Sequence, residues 1–249
     1  MIDFTLYTAN CCGDSSNCVY PNKAHITDSA SFVVAIKRDH VCAAYKNNYR
    51  SNDNFLETDV LPMDCDNDHS DDPKDWIYPL DVVMAFPDVS LLVSYSRNNM
   101  KVKNGKAARP KFHVYFPIPT MTDGKAYAEL KKRIQEFFPH FDADALGEAR
   151  FLYGTDSPDI EVYDGASNVA DFIDHDEFAD FDASTEEISE GSRNSTMSHI
   201  AGKLIKRYGA TEEAHALFMK TAEKCNPPLA DSELDKIWHS ATKFGTKVS

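Results

Sequence analysis

The sequence predicts an α+β protein in which a larger mixed domain precedes a small all-α bundle. Strand-like and helix-like apolar patterns alternate in the first two thirds of the chain, whereas the last quarter shows helical periodicity only. An acidic segment without a long apolar run separates the two parts. We therefore expect a mixed domain over residues 1–170, a linker over 171–190 and a helical domain over 191–249.

Apolar patterns define the expected elements of the first domain. Residues 31–36 (SFVVAI) and 89–95 (VSLLVSY) are β-branched and apolar, which is typical of strands. Residues 125–138 place apolar side chains at three- and four-residue steps, which predicts an amphipathic helix.

The C-terminal part has apolar stripes at helical spacing over residues 197–208, 214–225 and 234–244. Thr211 precedes two acidic residues and Asp231 precedes the third stripe, so both are candidate N-caps. Helices with one apolar face each predict a small bundle.

The net charge of −14 hides a strong separation of charge along the chain. Residues 53–81 hold ten acids and one base, whereas residues 89–122 hold six bases and no acid. An acidic protein is a poor general binder of nucleic acid, because affinity for phosphates comes largely from Lys and Arg. The local arrangement indicates a site where cations and a polyphosphate lie side by side. Charge runs on a solvated surface are the alternative interpretation.

Several protein classes are disfavoured by the sequence. No apolar run approaches the ~20 residues of a membrane helix, and the first residues lack the pattern of a signal peptide. We therefore expect a soluble, cytoplasmic protein with no membrane partner. Six cysteines are too few for a disulfide scaffold. Cys11, Cys12 and Cys18 with His25 could bind zinc, but paired CxxC knuckles are missing, so reduced thiols are the favoured interpretation.

The segment VLPMDCD at residues 60–66 carries the first candidate site. In a strand its apolar residues face the core, and Asp64 and Asp66 share the opposite face, ~7 Å apart. Two carboxylates at this spacing can hold divalent cations ~3.5–4 Å apart, the arrangement of two-metal phosphoryl transfer.

A calcium loop is the competing interpretation of the same residues. Asp64, Asp66 and Asp68 occupy its first, third and fifth positions. His69 stands where the loop needs glycine, and Asp75 stands where it needs a bidentate Glu, so calcium binding is disfavoured.

Two further elements follow in the chain. A strand over residues 109–118 places Lys111, His113 and Tyr115 on one face, and a His beside a Lys at the end of a basic segment suits a triphosphate contact. A surface His explains the same pattern. Asp142 could supply a third carboxylate or could cap a turn. Arg150 could supply a phosphate-binding guanidinium or could pair with Glu148 on the surface.

With these three elements in order, the sequence resembles the archaeo-eukaryotic primase superfamily, specifically the primase–polymerase domains of phages, plasmids and integrated elements. The family's DxD, S-x-H-like and apolar-Asp motifs correspond to residues 63–66, 111–113 and 141–142. Lys111 stands where the family commonly has Ser. Asp142 is favoured over Asp144 as the third carboxylate.

The tail resembles the helical domain that follows such primases. Its motifs are GSRNST at residues 191–196 and NPPL at residues 226–229. A replicative helicase often follows in this family, but the chain holds no G-x-x-x-x-G-K-[ST] motif. A helicase is therefore expected as a separate partner or after this segment. Residues 1–50 offer no motif.

The resemblance implies an RRM-like catalytic domain and an enzyme, a DNA primase–polymerase. The implied activity is template-directed nucleotidyl transfer on single-stranded DNA, making and extending primers from NTPs or dNTPs during replication of a mobile element or phage. The alternatives are a primer-dependent repair or bypass polymerase and a non-catalytic nucleotide- or DNA-binding replication adaptor.

The resemblance also implies roles for individual residues. Two Mg²⁺ or Mn²⁺ ions would be held by Asp64, Asp66 and Asp142. The triphosphate would be bound by His113, Lys111, Arg109 and Arg150. The expected DNA contacts are basic: Arg97, Lys101, Lys103, Lys106, Arg193, Lys203, Lys206 and Arg207.

Overall fold

A computed structural model describes residues 2–102, 105–178, 188–189 and 193–245 of the chain. The fold divides into two compact units, Met1–Phe178 and Ala179–Ser249.

Strands and helices alternate along the first unit. Its strands are β1 Phe4–Thr8, β2 Asn22–Ile26, β3 His40–Val41, β4 Ala43–Tyr45, β5 Phe55–Cys65, β6 Leu91–Tyr95, β7 Phe112–Met121, β8 Phe151–Leu152 and β9 Ile160–Tyr163. Its α-helices are α1 Ser29–Ala35, α2 Pro79–Ala85, α3 Gly124–Phe137 and α4 Val169–Phe178. The predicted α+β class is confirmed.

The strands form two antiparallel sheets. One has the strand order β2-β1-β3-β8, and the other has the order β4-β5-β7-β6-β9. The N-terminal strands are therefore part of the first unit, since β3 pairs with β8 from late in the chain. In the second sheet, β5 and β7 pair so that Asp64 lies opposite His113.

The apolar face predicted for residues 109–118 is confirmed in β7. Phe112, Val114 and Phe116 are fully buried, as alternation in a strand requires. Tyr115 on the other face is also buried, because Phe32 packs edge-on against its ring with the centroids 5.0 Å apart.

The strand predicted at residues 31–36 is wrong, because this segment forms helix α1. Asp28 caps the helix: its carboxylate accepts from the Ser31 amide, and the Ser31 hydroxyl accepts from the Asp28 amide. Phe32, Ala35 and Ile36 are buried at the three- and four-residue spacing of a helix face. Capping and this buried face override the β-propensity of the two valines.

The other secondary-structure predictions for this unit agree with the structure. The segment 89–95 contains β6, and the segment 125–138 coincides with α3 to within one residue at each end. Asp123 caps α3 by accepting from the amides of Lys125 and Ala126.

The second unit contains strands β10 Ile188–Ser189 and β11 Cys225–Asn226 and helices α5 Arg193–Tyr208, α6 Glu212–Ala222 and α7 Asp231–Gly245. The predicted apolar stripes meet in one core that includes Met197, Leu204, Phe218 and Leu234. Thr211 is the N-cap of α6, as predicted, and its hydroxyl accepts from the Ala214 amide. The small helical bundle predicted for the tail is thus confirmed.

The boundaries predicted between the domains stay predictions. Helix α4 occupies the beginning of the segment expected as a linker, and residues 179–187 and 190 lie outside the described residues. Within the described part of the chain, no helix combines the length and apolar character needed to cross a bilayer.

Candidate active site

The candidate site is built on the paired ends of β5 and β7. His113 Nδ1 lies 2.8 Å from Asp64 Oδ1, and Asp64 is only 3% exposed. A carboxylate can only accept, so His113 Nδ1 carries the hydrogen in this contact. The strand register brings the two predicted motifs together, since Asp64 and His113 are direct cross-strand neighbours.

Arg150 binds the other oxygen of Asp64 from the segment before β8. Burial alone would raise the pKa of Asp64, but His113 and Arg150 together lower it well below its usual value. Asp64 is therefore held as a carboxylate between the His113 ring and the Arg150 guanidinium. Arg150 Nε is buried and has no hydrogen-bond partner among the described residues.

Asp66 lies just beyond the end of β5 and is partly exposed. Lys111 Nζ lies 3.2 Å from Asp66 and 3.4 Å from Asp68, and Lys106 Nζ lies 3.2 Å from Asp68. Burial alone would raise the pKa of Asp68, but the two lysines lower it. Each carboxylate thus has a positively charged neighbour from the predicted basic segment.

Asp142 reaches the same strand end through its backbone. Its amide donates to the backbone carbonyl of Asp64 at 2.8 Å. Its side chain accepts from the Asp144 amide at 2.9 Å and so begins the 3₁₀ turn Ala143–Ala145. The turn cap considered for Asp142 from the sequence is therefore present, and its role as a third cation ligand stays a prediction.

The donor chemistry of this cluster fits hard divalent cations. Asp64 and Asp66 offer carboxylate oxygens, which Mg²⁺ and Mn²⁺ prefer, and the structure balances these oxygens with Arg150 and Lys111. Among the described residues, no three His, Cys, Asp or Glu side chains are grouped closely enough to hold a metal ion. Arg150 occupies one oxygen of Asp64, so a cation bound at that oxygen would have to displace the Arg150 guanidinium.

Arg109 has a different position from that expected of a triphosphate ligand. It is 1% exposed, and its guanidinium donates to the backbone carbonyls of Asn67 and Ser70 and to the carboxylate of Asp71. Its hydrogen-bonding nitrogens are thereby used to hold the loop that follows Asp66. We do not retain Arg109 as a nucleotide contact.

The predicted DNA contacts of the first unit lie in the loop between β6 and β7. The guanidinium of Arg97 stacks over Tyr153 at 3.8 Å, and Lys101 Nζ donates to the Arg97 carbonyl. Lys106 is paired with Asp68. Lys103 lies outside the described residues.

In the second unit, Arg193 joins the two motifs recognised in the tail. Its guanidinium donates to the carbonyls of Pro227 and Pro228 in the NPPL motif. The side chains of Lys203, Lys206 and Arg207 on α5 lie outside the described residues.

Two buried polar residues near the site are not predicted from the sequence. Lys131 Nζ donates to the Ala145 carbonyl at 2.6 Å and so ties the turn after Asp142 to α3, while burial lowers the pKa of Lys131 to about 8. Lys131 could have been found from the sequence, because it lies at helical spacing from the apolar residues of α3. No pattern in the sequence indicates that His40 is buried.

His40 is fully buried and contacts Tyr115, which shares a face of β7 with His113. Its Nδ1 donates to the Arg38 carbonyl at 2.9 Å, so in the neutral ring Nε2 accepts from the Tyr115 hydroxyl at 2.8 Å. Burial lowers the pKa of His40 to about 4. The residue is therefore neutral and structural at physiological pH.

Two comparisons with known proteins gave a match, one over the second unit and one over a larger share of the chain. Residues 182–244 match the family described as primase C terminal 1 (PriCT-1). Among solved structures, the chain is similar to the AEP domain of the cyanophage S-2L primase-polymerase, with 15% identity over 65% of this chain and 84% of that chain and a TM-score of 0.36. No curated protein matches the chain. The predicted resemblance to primase-type proteins is therefore confirmed, through the family match of the C-terminal segment.

Proposed function

We propose that the chain is a DNA primase–polymerase, a template-directed nucleotidyltransferase that makes primers de novo and extends them. The observation that carries the proposal is the hydrogen bond between His113 and Asp64 at the end of two paired strands. The backbone contact of Asp142 with Asp64 brings the third predicted motif beside the first two. The family match of residues 182–244 supports a primase-like role independently.

In the proposed reaction, the 3′-hydroxyl of an initiating nucleotide or a primer attacks the α-phosphorus of an incoming NTP or dNTP. A phosphodiester bond forms, the bond to the pyrophosphate oxygen breaks, and the proton of the hydroxyl passes to solvent water. Mg²⁺ or Mn²⁺ held by Asp64, Asp66 and Asp142 would supply activation of the hydroxyl and neutralisation of the leaving group.

The remaining residues of the site would bind and orient the triphosphate. Asp64 fixes the ring of His113 through Nδ1, which leaves Nε2 to donate to a phosphate oxygen when the ring is protonated. Arg150 carries a buried Nε without an acceptor, and a phosphate oxygen is a strong acceptor for a guanidinium. Lys111 would add a point charge beside Asp66.

Basic side chains would bind the template through its phosphate backbone. In the first unit we propose Arg97, Lys101, Lys103 and Lys106, which lie in the acid-free segment. In the second unit we propose Arg193, Lys203, Lys206 and Arg207, holding template or the 5′ nucleotide during initiation. A replicative helicase of a mobile element or phage is the proposed protein partner.

The test is a primer-synthesis assay with single-stranded DNA, labelled nucleotides and Mn²⁺. Wild type should make primers without a preformed primer and should also extend an annealed primer. Deletion of residues 179–249 should preserve extension and abolish de novo synthesis.

Each alternative function gives a different result in this assay. Extension without de novo synthesis by the full chain would favour a primer-dependent repair or bypass polymerase. Binding of DNA or nucleotide without any incorporation would favour a non-catalytic adaptor.

A further inference from the structure

We propose that His69 and His140 form a binding site for one transition-metal ion of the Zn²⁺ type, separate from the carboxylate cluster. His69 lies in the loop after β5, and His140 lies between α3 and Asp142. The inference uses neither the nucleotide site nor the family match. It therefore stands or falls separately from the proposed function.

The spacing of the two rings fits a shared ion. Their centroids are 4.9 Å apart, with a 55° angle between the ring planes. When two imidazoles bind one tetrahedral Zn²⁺ through nitrogens at ~2.0–2.1 Å, their ring centres lie about 5 Å apart. The observed separation therefore matches the spacing of two rings that share one ion.

The hydrogen bonding of His69 sets which nitrogen it can offer. Nε2 lies 2.9 Å from the backbone carbonyl of Asp75, which can only accept, so Nε2 carries the hydrogen. In the neutral ring, Nδ1 then holds the lone pair that a metal needs. Metal-binding histidines almost always donate their second ring N–H to a carbonyl or carboxylate in this way.

His140 supplies the complementary observation, a buried nitrogen without a partner. Its Nε2 is buried and makes no hydrogen bond among the described residues. Buried polar atoms are normally satisfied, so this atom calls for a ligand. Phe138 packs edge-on against the ring with the centroids 5.2 Å apart, which restricts the orientation of the ring.

The loop that carries His69 is ordered by contacts of its own. Arg109 binds the carbonyls of Asn67 and Ser70 on either side of His69. Trp76 Nε1 also donates to the Ser70 carbonyl at 3.1 Å. The backbone of His69 is therefore positioned without metal, and metal binding would cost little ordering of the chain.

Imidazole ligands make this site selective for other ions than those that the carboxylates prefer. Zn²⁺, Co²⁺ and Ni²⁺ bind imidazole well, whereas Mg²⁺ prefers oxygen. Within the described residues no group of three metal-binding side chains is present, so the remaining positions would be taken by water. The ion would link the loop after Asp66 to the segment before Asp142.

The experiment is a titration of the full chain, reduced and free of nucleotide and DNA, with Co²⁺ as the spectroscopic probe and Zn²⁺ as competitor. Wild type should bind one Co²⁺ with the visible absorption of nitrogen ligation, and Zn²⁺ should displace it and raise Tm. His69→Gln and His140→Gln should each bind at least about 10-fold more weakly. His239→Gln, at an exposed histidine of α7, is the matched control and should bind like wild type.

Two further comparisons distinguish loss of the metal site from misfolding and from binding of metal at the carboxylate cluster. His69 is exposed, so His69→Gln should fold normally even if the partly buried His140→Gln does not. Asp64→Asn should retain the nitrogen-ligated Co²⁺, because the carboxylate cluster is a different site. Unchanged Co²⁺ affinity in His69→Gln, or an absorption band of thiolate ligation from the cysteines, would overturn the proposal.

Discussion

His113 and Asp64 face each other across β7 and β5, and the His113 ring donates to the buried Asp64 carboxylate at 2.8 Å. Arg150 binds the second oxygen of the same carboxylate. Two hydrogen-bond donors from distant parts of the chain therefore converge on one buried acid. In the proposed function, this cluster is where nucleotide and divalent cations would be bound.

Arg150→Ala should weaken nucleotide binding more than it slows turnover. A charge-assisted hydrogen bond contributes ~1.5–3 kcal/mol, so KM for the incoming nucleotide should rise roughly 10- to 100-fold. Steady-state incorporation on a primed template measures KM and kcat separately. An unchanged KM with a reduced kcat would instead assign Arg150 to positioning Asp64.

Asp142→Asn and Asp144→Asn separate the two candidates for the third carboxylate. Only Asp142 contacts the Asp64 backbone, and Asp144 is exposed. Asp142→Asn should therefore reduce incorporation to background while Asp144→Asn stays near wild type. The amide can still cap the turn, so Tm of both variants should stay near wild type. Loss of activity in Asp144→Asn alone would reverse the assignment.

Arg109→Ala should destabilise the first unit. The truncation removes hydrogen bonds to the carbonyls of Asn67 and Ser70 and to Asp71. Ser70 keeps the Trp76 donor, whereas the buried Asn67 carbonyl loses this partner, at a cost of about 2 kcal/mol. Urea unfolding measures the loss. Lys132→Ala, at an exposed ion pair, is the control and should change the free energy of unfolding little. A near-neutral Arg109→Ala would show that the loop does not depend on this residue.

Burial of neutral His40 should make the protein sensitive to mild acid. Its pKa is lowered from 6.5 to about 4, so between these pH values the unfolded state binds more protons than the folded state. The contribution of neutral His40 to the free energy of unfolding is fully present above pH 6.5 and is lost as pH falls towards 4. The total loss is on the order of 3 kcal/mol.

Urea unfolding at several pH values tests this dependence with His40→Gln. The variant should be less stable at pH 7, but its free energy of unfolding should fall less steeply between pH 6.5 and 4. The exposed His25→Gln should keep the wild-type slope. Equal slopes in wild type and His40→Gln would contradict the assignment.

Periodicity predicted the elements that depend on one apolar face. Helix α3, strand β7 and the helices of the second unit follow directly from the spacing of their apolar residues. Residues 31–36 were predicted wrongly, because composition alone cannot weigh the Asp28 cap and the helical burial of Phe32 and Ile36 against β-propensity.

The contacts that organise the candidate site were harder to predict because they join distant segments. Charge patterning identified Arg109 as a basic residue near the acids, but only the folded loop shows that the guanidinium is buried against backbone carbonyls. The same holds for His40 and Tyr115, which are 75 residues apart. Sequence spacing sets which residues share a face, whereas tertiary packing decides which of them are buried.

The most direct test of the central claim compares Asp64→Asn with Asp53→Asn in template-directed incorporation. Asp53 is an exposed acid of the same acidic segment, so its variant should incorporate nucleotide like wild type. Asp64→Asn should retain the fold, as judged by circular dichroism, and should incorporate nucleotide only at background level. Wild-type incorporation by folded Asp64→Asn would contradict the claim that this carboxylate is the centre of a nucleotidyl-transfer site.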